Sequence, residues 1–367
     1  MTLERAADMI EWQADACAQL DSPLYADLLR RAARDVRTGG PCAAAVEGYE
    51  DAPGPDAIAL RLAGGVHALV LTGRAPALAA YYPSAGGRWT PAEADACWEA
   101  FRETVGGELP WIRDWMTRPP QTNEVGRSNA LLAGLLDAVA HHPLPVRLLE
   151  LGASAGLNLR AEAFRYESDG FAWGPPDSPV RLTDAWRGTP PAWLTQAAAA
   201  HPSLRVTERR GCDLTPIDPL TEAGALALRS YVWPDQSARH ARLSGALTLA
   251  GTLPARVERT GAADFLAGVA VEPGVLTVVW HSVMRQYVPR GEWEAVSGEL
   301  ERLAAASSAT APFAYVSLEP RRVGGGRPFV VATRLGAGRE RFLATAAPHG
   351  LRLDGVVVQA LLGGVLL

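Results

Sequence analysis

Between Val146 and Asn158 the chain reads V-R-L-L-E-L-G-A-S-A-G-L-N: an apolar run, an acid near its end, then small residues and glycines. Val146, Leu148, Leu149 and Leu151 predict a short buried strand with Glu150 near its carboxyl end. Gly152, Ser154 and Gly156 let the backbone turn tightly into a helix beginning near Leu157, whose first N–H groups are open to a ligand. The dinucleotide fingerprint G-x-G-x-x-G seats a pyrophosphate on glycines and a helix dipole. Here the spacing is E-x-G-x-x-x-G with Ser154 in the middle. An acid before the first glycine repels a pyrophosphate and suits a ligand that is positive at that point, such as one bearing an amino group.

The elements around this loop set its context. From residue 146 strands and helices alternate, which predicts a parallel sheet covered on both faces, with ligands bound beyond the carboxyl ends of its strands. A second strand begins at Leu204–Glu208 and leads to G-C-D; a third, Val257–Thr260, runs to A-D-F-L; a fourth, Val275–Trp280, ends at His281-Ser282. Four consecutive strand ends therefore carry Glu150, Asp213, Asp264 and His281. An acid at the second position accepts from paired ribose hydroxyls, and one at the third from an exocyclic amine. His281, with an ordinary pKa near neutrality, is the candidate base, against the alternative of a core histidine bonded to a carbonyl. Tyr287 is either a group orienting a substrate hydroxyl or amine, or a structural tyrosine.

These positions, taken in order over roughly residues 146–358, resemble the class I S-adenosylmethionine-dependent methyltransferases. The resemblance implies an α/β fold with a doubly wound, mostly parallel Rossmann-like sheet and S-adenosylmethionine as cofactor. Glu150, Gly152 and Gly156 would face its methionine part, with Ser154 and Asn158 in the same loop; Asp213 would take the ribose, and Asp264 with Phe265 the adenine. W280-H-S282 would face the substrate, and the N-P-P-[YF] signature of amino-group methylation is missing there. Asp213 lies far beyond Gly156, so either a hairpin is inserted near residues 163–187 or the second strand is Ala163–Glu167. In the latter case Glu167 or Asp169 is the ribose ligand. Nearly the whole chain, including Q-T-N-E-V-G-R, R-R-G-C-D and V-W-P-D, also resembles an uncharacterised bacterial domain-of-unknown-function family.

The first 125 residues read as helices, forming an N-terminal all-helical domain ahead of a cofactor domain at 126–367. Leu3–Ala18 is amphipathic, and Asp21-Ser22-Pro23 supplies a cap and first-turn proline for a second helix. Thr90-Pro91 starts another, while Trp111 and Trp115, four apart, suit core packing. Gln121, Asn123, Glu124 and Arg127 lead into an apolar helix through Leu131–Val139, either as its capped start or as a substrate-binding wall. Beyond Val275–Trp280 a helix over Glu292–Ala306 and strands at Phe313–Leu318, Phe329–Leu335 and Leu351–Val358 are expected, with a short helix over Arg339–Ala346.

Composition narrows the function. A formal net charge of -5 gives no footprint for nucleic acid, and the chain holds no lysine, which excludes Schiff-base and P-loop lysine chemistry. The four cysteines form no C-x-x-C pair and the histidines no H-E-x-x-H, so no metal site is expected. The N-terminus lacks a basic-then-apolar leader and no window is apolar enough to span a bilayer, so a cytoplasmic protein is expected. The function expected is methyl transfer to a small-molecule acceptor. The alternatives are a non-catalytic nucleoside-binding or regulatory protein on the same fold, and an NAD-dependent oxidoreductase.

Overall fold

The computed structural model describes residues 2–51, 54, 57–322 and 326–355. Its helices are α1 (Thr2–Gln19), α2 (Pro23–Arg37), α3 (Pro41–Val46), α4 (Ile58–Leu71), α5 (Pro76–Ala79), α6 (Ala94–Gly107) and α7 (Leu109–Met116). They continue as α8 (Ser128–His141), α9 (Ala192–Ala200), α10 (Glu222–Ser230), α11 (Ser237–Thr252), α12 (Ala262–Ala267) and α13 (Arg290–Ala305). The strands are β1 (Val146–Leu151), β2 (Arg165–Ser168), β3 (Phe171–Trp173), β4 (Arg181–Leu182) and β5 (Val206–Asp213). The remainder are β6 (Arg256–Arg259), β7 (Leu276–Ser282), β8 (Phe313–Pro320), β9 (Phe329–Leu335) and β10 (Arg341–Ala346). Two compact units emerge: Met1–Thr122 with Thr221–Ala241, and Asn123–Leu220 with Arg242–Leu367.

The first unit is built from helices on an apolar core that includes Ile10, Leu28, Leu62, Leu69, Phe101 and Trp233. The Asp21-Ser22-Pro23 start works differently from a local cap. Ser22 stands at the cap position of α2 without bonding its own helix. Instead its hydroxyl donates to Asp235 Oδ1 at 2.6 Å, and Asp235 Oδ2 accepts from Leu24 N at 3.0 Å. A distant acid thus satisfies the orphan donor of the first turn. Helix α4, which the sequence reading passed over, is buried almost throughout. Its Gly64-Gly65 pair argues locally against a helix. A side chain at Gly64 would meet the Tyr231 ring at 2.6 Å, so packing demands what propensity disfavours. Trp111 and Trp115 stack with centroids 5.1 Å apart, and the Trp115 indole donates to the Tyr231 hydroxyl at 3.1 Å, as core residues do.

The second unit is α/β, with a seven-stranded, mostly parallel sheet in the order β10-β9-β8-β7-β1-β5-β6. β6, β5, β1, β7 and β8 are parallel neighbours; β9 runs antiparallel to β8, and β10 antiparallel to β9. Chain order proceeds outward one way from β1 through β5 and β6, then restarts on its other side with β7 and β8. A crevice opens at such a reversal, beyond the carboxyl ends of the two strands that flank it. One face of the sheet packs Leu148, Val278, Trp280 and Val316 against Leu131 and Leu135 of α8. The other packs Leu149, Leu151, Val279 and Tyr315 against Phe265 of α12 and Val296, Leu300 and Leu303 of α13.

Three expectations are corrected. Arg339–Ala346 is not a helix: Arg341–Ala346 forms β10, paired antiparallel with β9 through a register shift between Phe342 and Ala344. Of the strand expected over Leu351–Val358, residues to 355 show only isolated bridges at Leu353 and Asp354, and the rest lies outside the described residues. Ala163–Glu167 is also not the second strand of the main sheet. β2 lies in a separate three-stranded sheet of order β3-β2-β4, more than a hairpin, and β1 pairs with β5 instead.

Candidate active site at the ends of β1, β5 and β7

Strand register decides which residues share a face. Glu150 pairs with Trp280 on one side and Gly211 on the other, while Leu151 pairs with His281. Because side chains alternate, Glu150, Trp280 and Asp213 project toward the α8 face and His281 toward the α13 face. Gly211 makes room for this arrangement: a side chain there would come within 2.7 Å of Ala153 Cβ and 2.9 Å of the Glu150 carbonyl oxygen.

The loop beyond β1 is held by side chains from two directions. Gly152 and Gly156 have φ of 66°, and Ser154 between them has φ of 54°, left-handed backbone that suits glycine and strains serine. Asp213 offsets that strain. Its Oδ2 accepts from Ser154 N at 2.9 Å and its Oδ1 from Thr215 N at 2.9 Å. From the other side, Asn123 Oδ1 accepts from Leu157 N at 2.8 Å, and Asn158 Nδ2 donates to the Glu124 carbonyl at 3.2 Å. The helix expected from Leu157 is a short 3-10 segment, Leu157–Ala163.

Glu150 is the outlier. It is 2% exposed, and its Oε2 has no hydrogen-bond partner among the described residues. Burial pushes its carboxyl well above the ordinary glutamate range, and the neighbouring Asp213 charge pushes the same way. The Trp280 indole and the more distant Arg160 and Arg127 oppose this without reversing it. The indole N–H nevertheless closes no hydrogen bond of its own. Ser154 Oγ and Asn158 Oδ1 are likewise buried and unpartnered. Buried polar atoms in native folds are nearly always satisfied, so three unpaired acceptor oxygens on one strand end and its loop mark a place for donors brought by a ligand.

The remaining candidates fall elsewhere. His281 is 1% exposed and has no spare nitrogen: Nδ1 meets Glu319 Oε1 at 2.7 Å and Nε2 meets the Tyr315 hydroxyl at 2.5 Å. It packs edge-on against Trp293, and it faces away from Glu150, so it does not serve that strand end as a base. Neither its core alternative nor its catalytic one anticipated a carboxylate partner. Glu319, at the end of β8, was missed because the sequence reading stopped that strand at Leu318. Tyr287 is 63% exposed in a short 3-10 turn, Arg285–Tyr287. Asp264 is exposed in the first turn of α12, and Phe265 is buried in the core with the Arg210 guanidinium over its ring. Glu167 is bound by Arg165 and Arg181 in the small sheet, which removes it as a ribose ligand; Asp169 sits in the turn between β2 and β3. Glu124 accepts from Gly126 N at 3.1 Å and Arg127 donates to the Pro348 carbonyl at 3.2 Å, so both brace the loop region, while Gln121 belongs to the first unit.

The first unit holds a second arrangement with catalytic geometry. His67 Nδ1 is 3.0 Å from the Ser230 carbonyl, so Nε2 accepts from the Ser84 hydroxyl at 2.7 Å, a nucleophile and base with an orienting group. Burial drives His67 down to about 3, however, and the amides of Ser84, Ala85, Gly86 and Gly87 are all spent on carbonyls. A base that weak without an oxyanion hole is a core network. Among the described residues no group of three or more acidic, histidine or cysteine side chains is arranged to hold a metal, and no helix is long and apolar enough to cross a membrane.

No curated protein and no solved structure matches the chain. Residues 7–354 match the family described as "Uncharacterized protein conserved in bacteria (DUF2332)", and the chain belongs to that family.

Proposed function

We propose that the second unit is a doubly wound, methyltransferase-like domain that binds S-adenosylmethionine at the β1 loop and transfers its methyl group to a small-molecule acceptor. The observation that carries this reading is the buried, unpartnered Glu150 Oε2 beside the strand-order reversal. An ammonium group supplies both the hydrogen bonds and the charge that this carboxylate lacks, and a diphosphate supplies neither. Ser154 Oγ and Asn158 Oδ1 in the same loop are likewise buried acceptors without a partner among the described residues. The cofactor supplies an activated methyl on a sulfonium, whose departure leaves a neutral thioether and needs no protonation. The chain's own task is positioning: fixing the loop, excluding water and aligning the acceptor in line.

The placement of His281 favours a second reading, nucleoside binding without turnover. That imidazole is committed on the other face and is not a base for the Glu150 strand end. The two readings separate by experiment. Isothermal titration with S-adenosylhomocysteine is expected to give saturable binding under both, and conversion of S-adenosylmethionine in the presence of a bacterial metabolite extract only under the first. Absence of binding at millimolar ligand rejects both. A rise in melting temperature with NAD and none with S-adenosylmethionine assigns the site to an oxidoreductase.

A further inference from the structure

Glu150 has two cross-strand partners: Gly211 on the β5 side, which brings no side chain, and Trp280 on the β7 side. Neighbouring strands lie about 4.8 Å apart, so the carboxylate and the indole leave the sheet side by side toward α8. The Trp280 ring is fully buried in the cluster that includes Leu148, Val278, Val316 and, from α8, Leu131 and Leu135. Tryptophan can only donate, and a buried indole N–H normally finds an acceptor. Trp280 Nε1 has none among the described residues, and Glu150 Oε2 has no donor among them. The indole is near enough to draw the Glu150 carboxyl down, yet the two groups do not satisfy each other. One strand end thus presents a buried donor beside a buried acceptor, each without a partner.

We infer that Trp280 is a specificity-determining residue, its indole N–H taking the carboxylate of an α-amino acid head group whose ammonium goes to Glu150. The inference rests on the cofactor reading of this strand end and narrows it: the group recognised is a zwitterion rather than an amine alone. Opposite polarities at adjacent register positions call for a ligand that carries donors and an acceptor on one carbon, as an α-amino acid does. A simple amine, or a nucleoside without that head group, leaves the indole N–H stranded, and a buried polar group left unpaired is costly. Ligands lacking the carboxylate are therefore selected against, in the way that a site built around a hydrogen bond rejects the analogue that cannot make it.

The test uses the full chain and isothermal titration with S-adenosylhomocysteine, with its decarboxylated analogue, which keeps the ammonium, and with 5′-methylthioadenosine, which keeps neither charge. Wild type is expected to bind S-adenosylhomocysteine at least about tenfold more tightly than the decarboxylated analogue, the scale of a hydrogen bond to a charged group, and 5′-methylthioadenosine most weakly. Trp280→Phe keeps an aromatic ring in the core and removes the N–H. It is expected to lose the preference for the carboxylate while holding the decarboxylated analogue within about twofold of wild type. General damage to the core would instead weaken both ligands alike and leave the preference intact. If wild type binds S-adenosylhomocysteine and the decarboxylated analogue equally, the inference is overturned whether or not the variant folds, and the cofactor reading stands. A preference that persists in Trp280→Phe overturns it as well. If none of the probes binds, the cofactor reading fails and the inference falls with it.

Discussion

Glu150 and Glu319 end strands two positions apart in one sheet, each 2% exposed, and they behave in opposite ways. Burial pushes both carboxyls up. At Glu319 the hydrogen bond and charge of His281, with the Met284 and Arg285 amides, outweigh burial and hold the group below its ordinary range. At Glu150 burial wins, and the nearby Asp213 reinforces it. The number of donors decides the sign, since a carboxylate that accepts several N–H groups is stabilised in its charged form whatever its depth. The α13 side of the sheet thus carries a network centred on Glu319 Oε1, which gathers the donors while Oε2 stays unpartnered among the described residues. The α8 side carries an acid whose Oε2 has no partner among the described residues, with the Trp280 indole its one opposing hydrogen-bonding group.

The contrast can be broken by substitution. Glu319→Ala removes the acceptor of three N–H groups and is expected to cost about 3–5 kcal/mol in denaturant unfolding, the scale for stranding a buried partner. Gly211→Ala is expected to cost about 1–3 kcal/mol, because the new methyl meets Ala153 and the Glu150 backbone, neither of which is a flexible side-chain tip. Glu150→Gln is expected to gain about 1 kcal/mol near neutral pH, by removing a buried group that has no donor when ionised. Asp213→Asn, which keeps one acceptor oxygen of two, is expected to lose roughly 0.5–1 kcal/mol and to loosen Ser154.

The same pair gives opposite pH signatures. Glu150 is raised in the fold, so its contribution to stability is complete below its unfolded value near 4.5 and is lost as pH rises through the folded value. The gain from Glu150→Gln should therefore vanish in acid and grow toward neutrality. Glu319 is lowered, so its contribution is complete above the same unfolded value and is lost as pH falls through the folded one. The penalty of Glu319→Gln should shrink in acid. Melting curves of both variants and wild type across this range check both signs; parallel curves would show that neither acid differs from an exposed one.

Much of this was legible in the residues. The apolar runs V-R-L-L-E-L and L-T-V-V-W placed β1 and β7, and order along the chain placed Glu150 and Asp213 at carboxyl ends of neighbouring strands. What the residues did not disclose was parity. Glu150 and His281 both end strands, yet only pairing register reveals that one faces α8 and the other α13. Glu319 was hidden because its partners lie 34 to 38 residues earlier in the chain. The bond of Asp235 to Ser22 at the start of α2 and the packing of Tyr231 against Gly64 were hidden for the same reason, being contacts across more than 160 residues. Asp213 was legible as an acid near the loop, but its grip on Ser154 N needed coordinates.

The account rests on Glu150 waiting for a cationic group, and proton release on binding tests that directly. Isothermal titration of S-adenosylhomocysteine at about pH 6, in two buffers of different ionisation enthalpy, reads the protons exchanged. The expected result is a proton released by wild type as the ligand's ammonium restores the Glu150 charge, none released by Glu150→Gln, and binding at least about tenfold weaker in that variant. Binding with no proton released, or equal affinity in the variant, would contradict it.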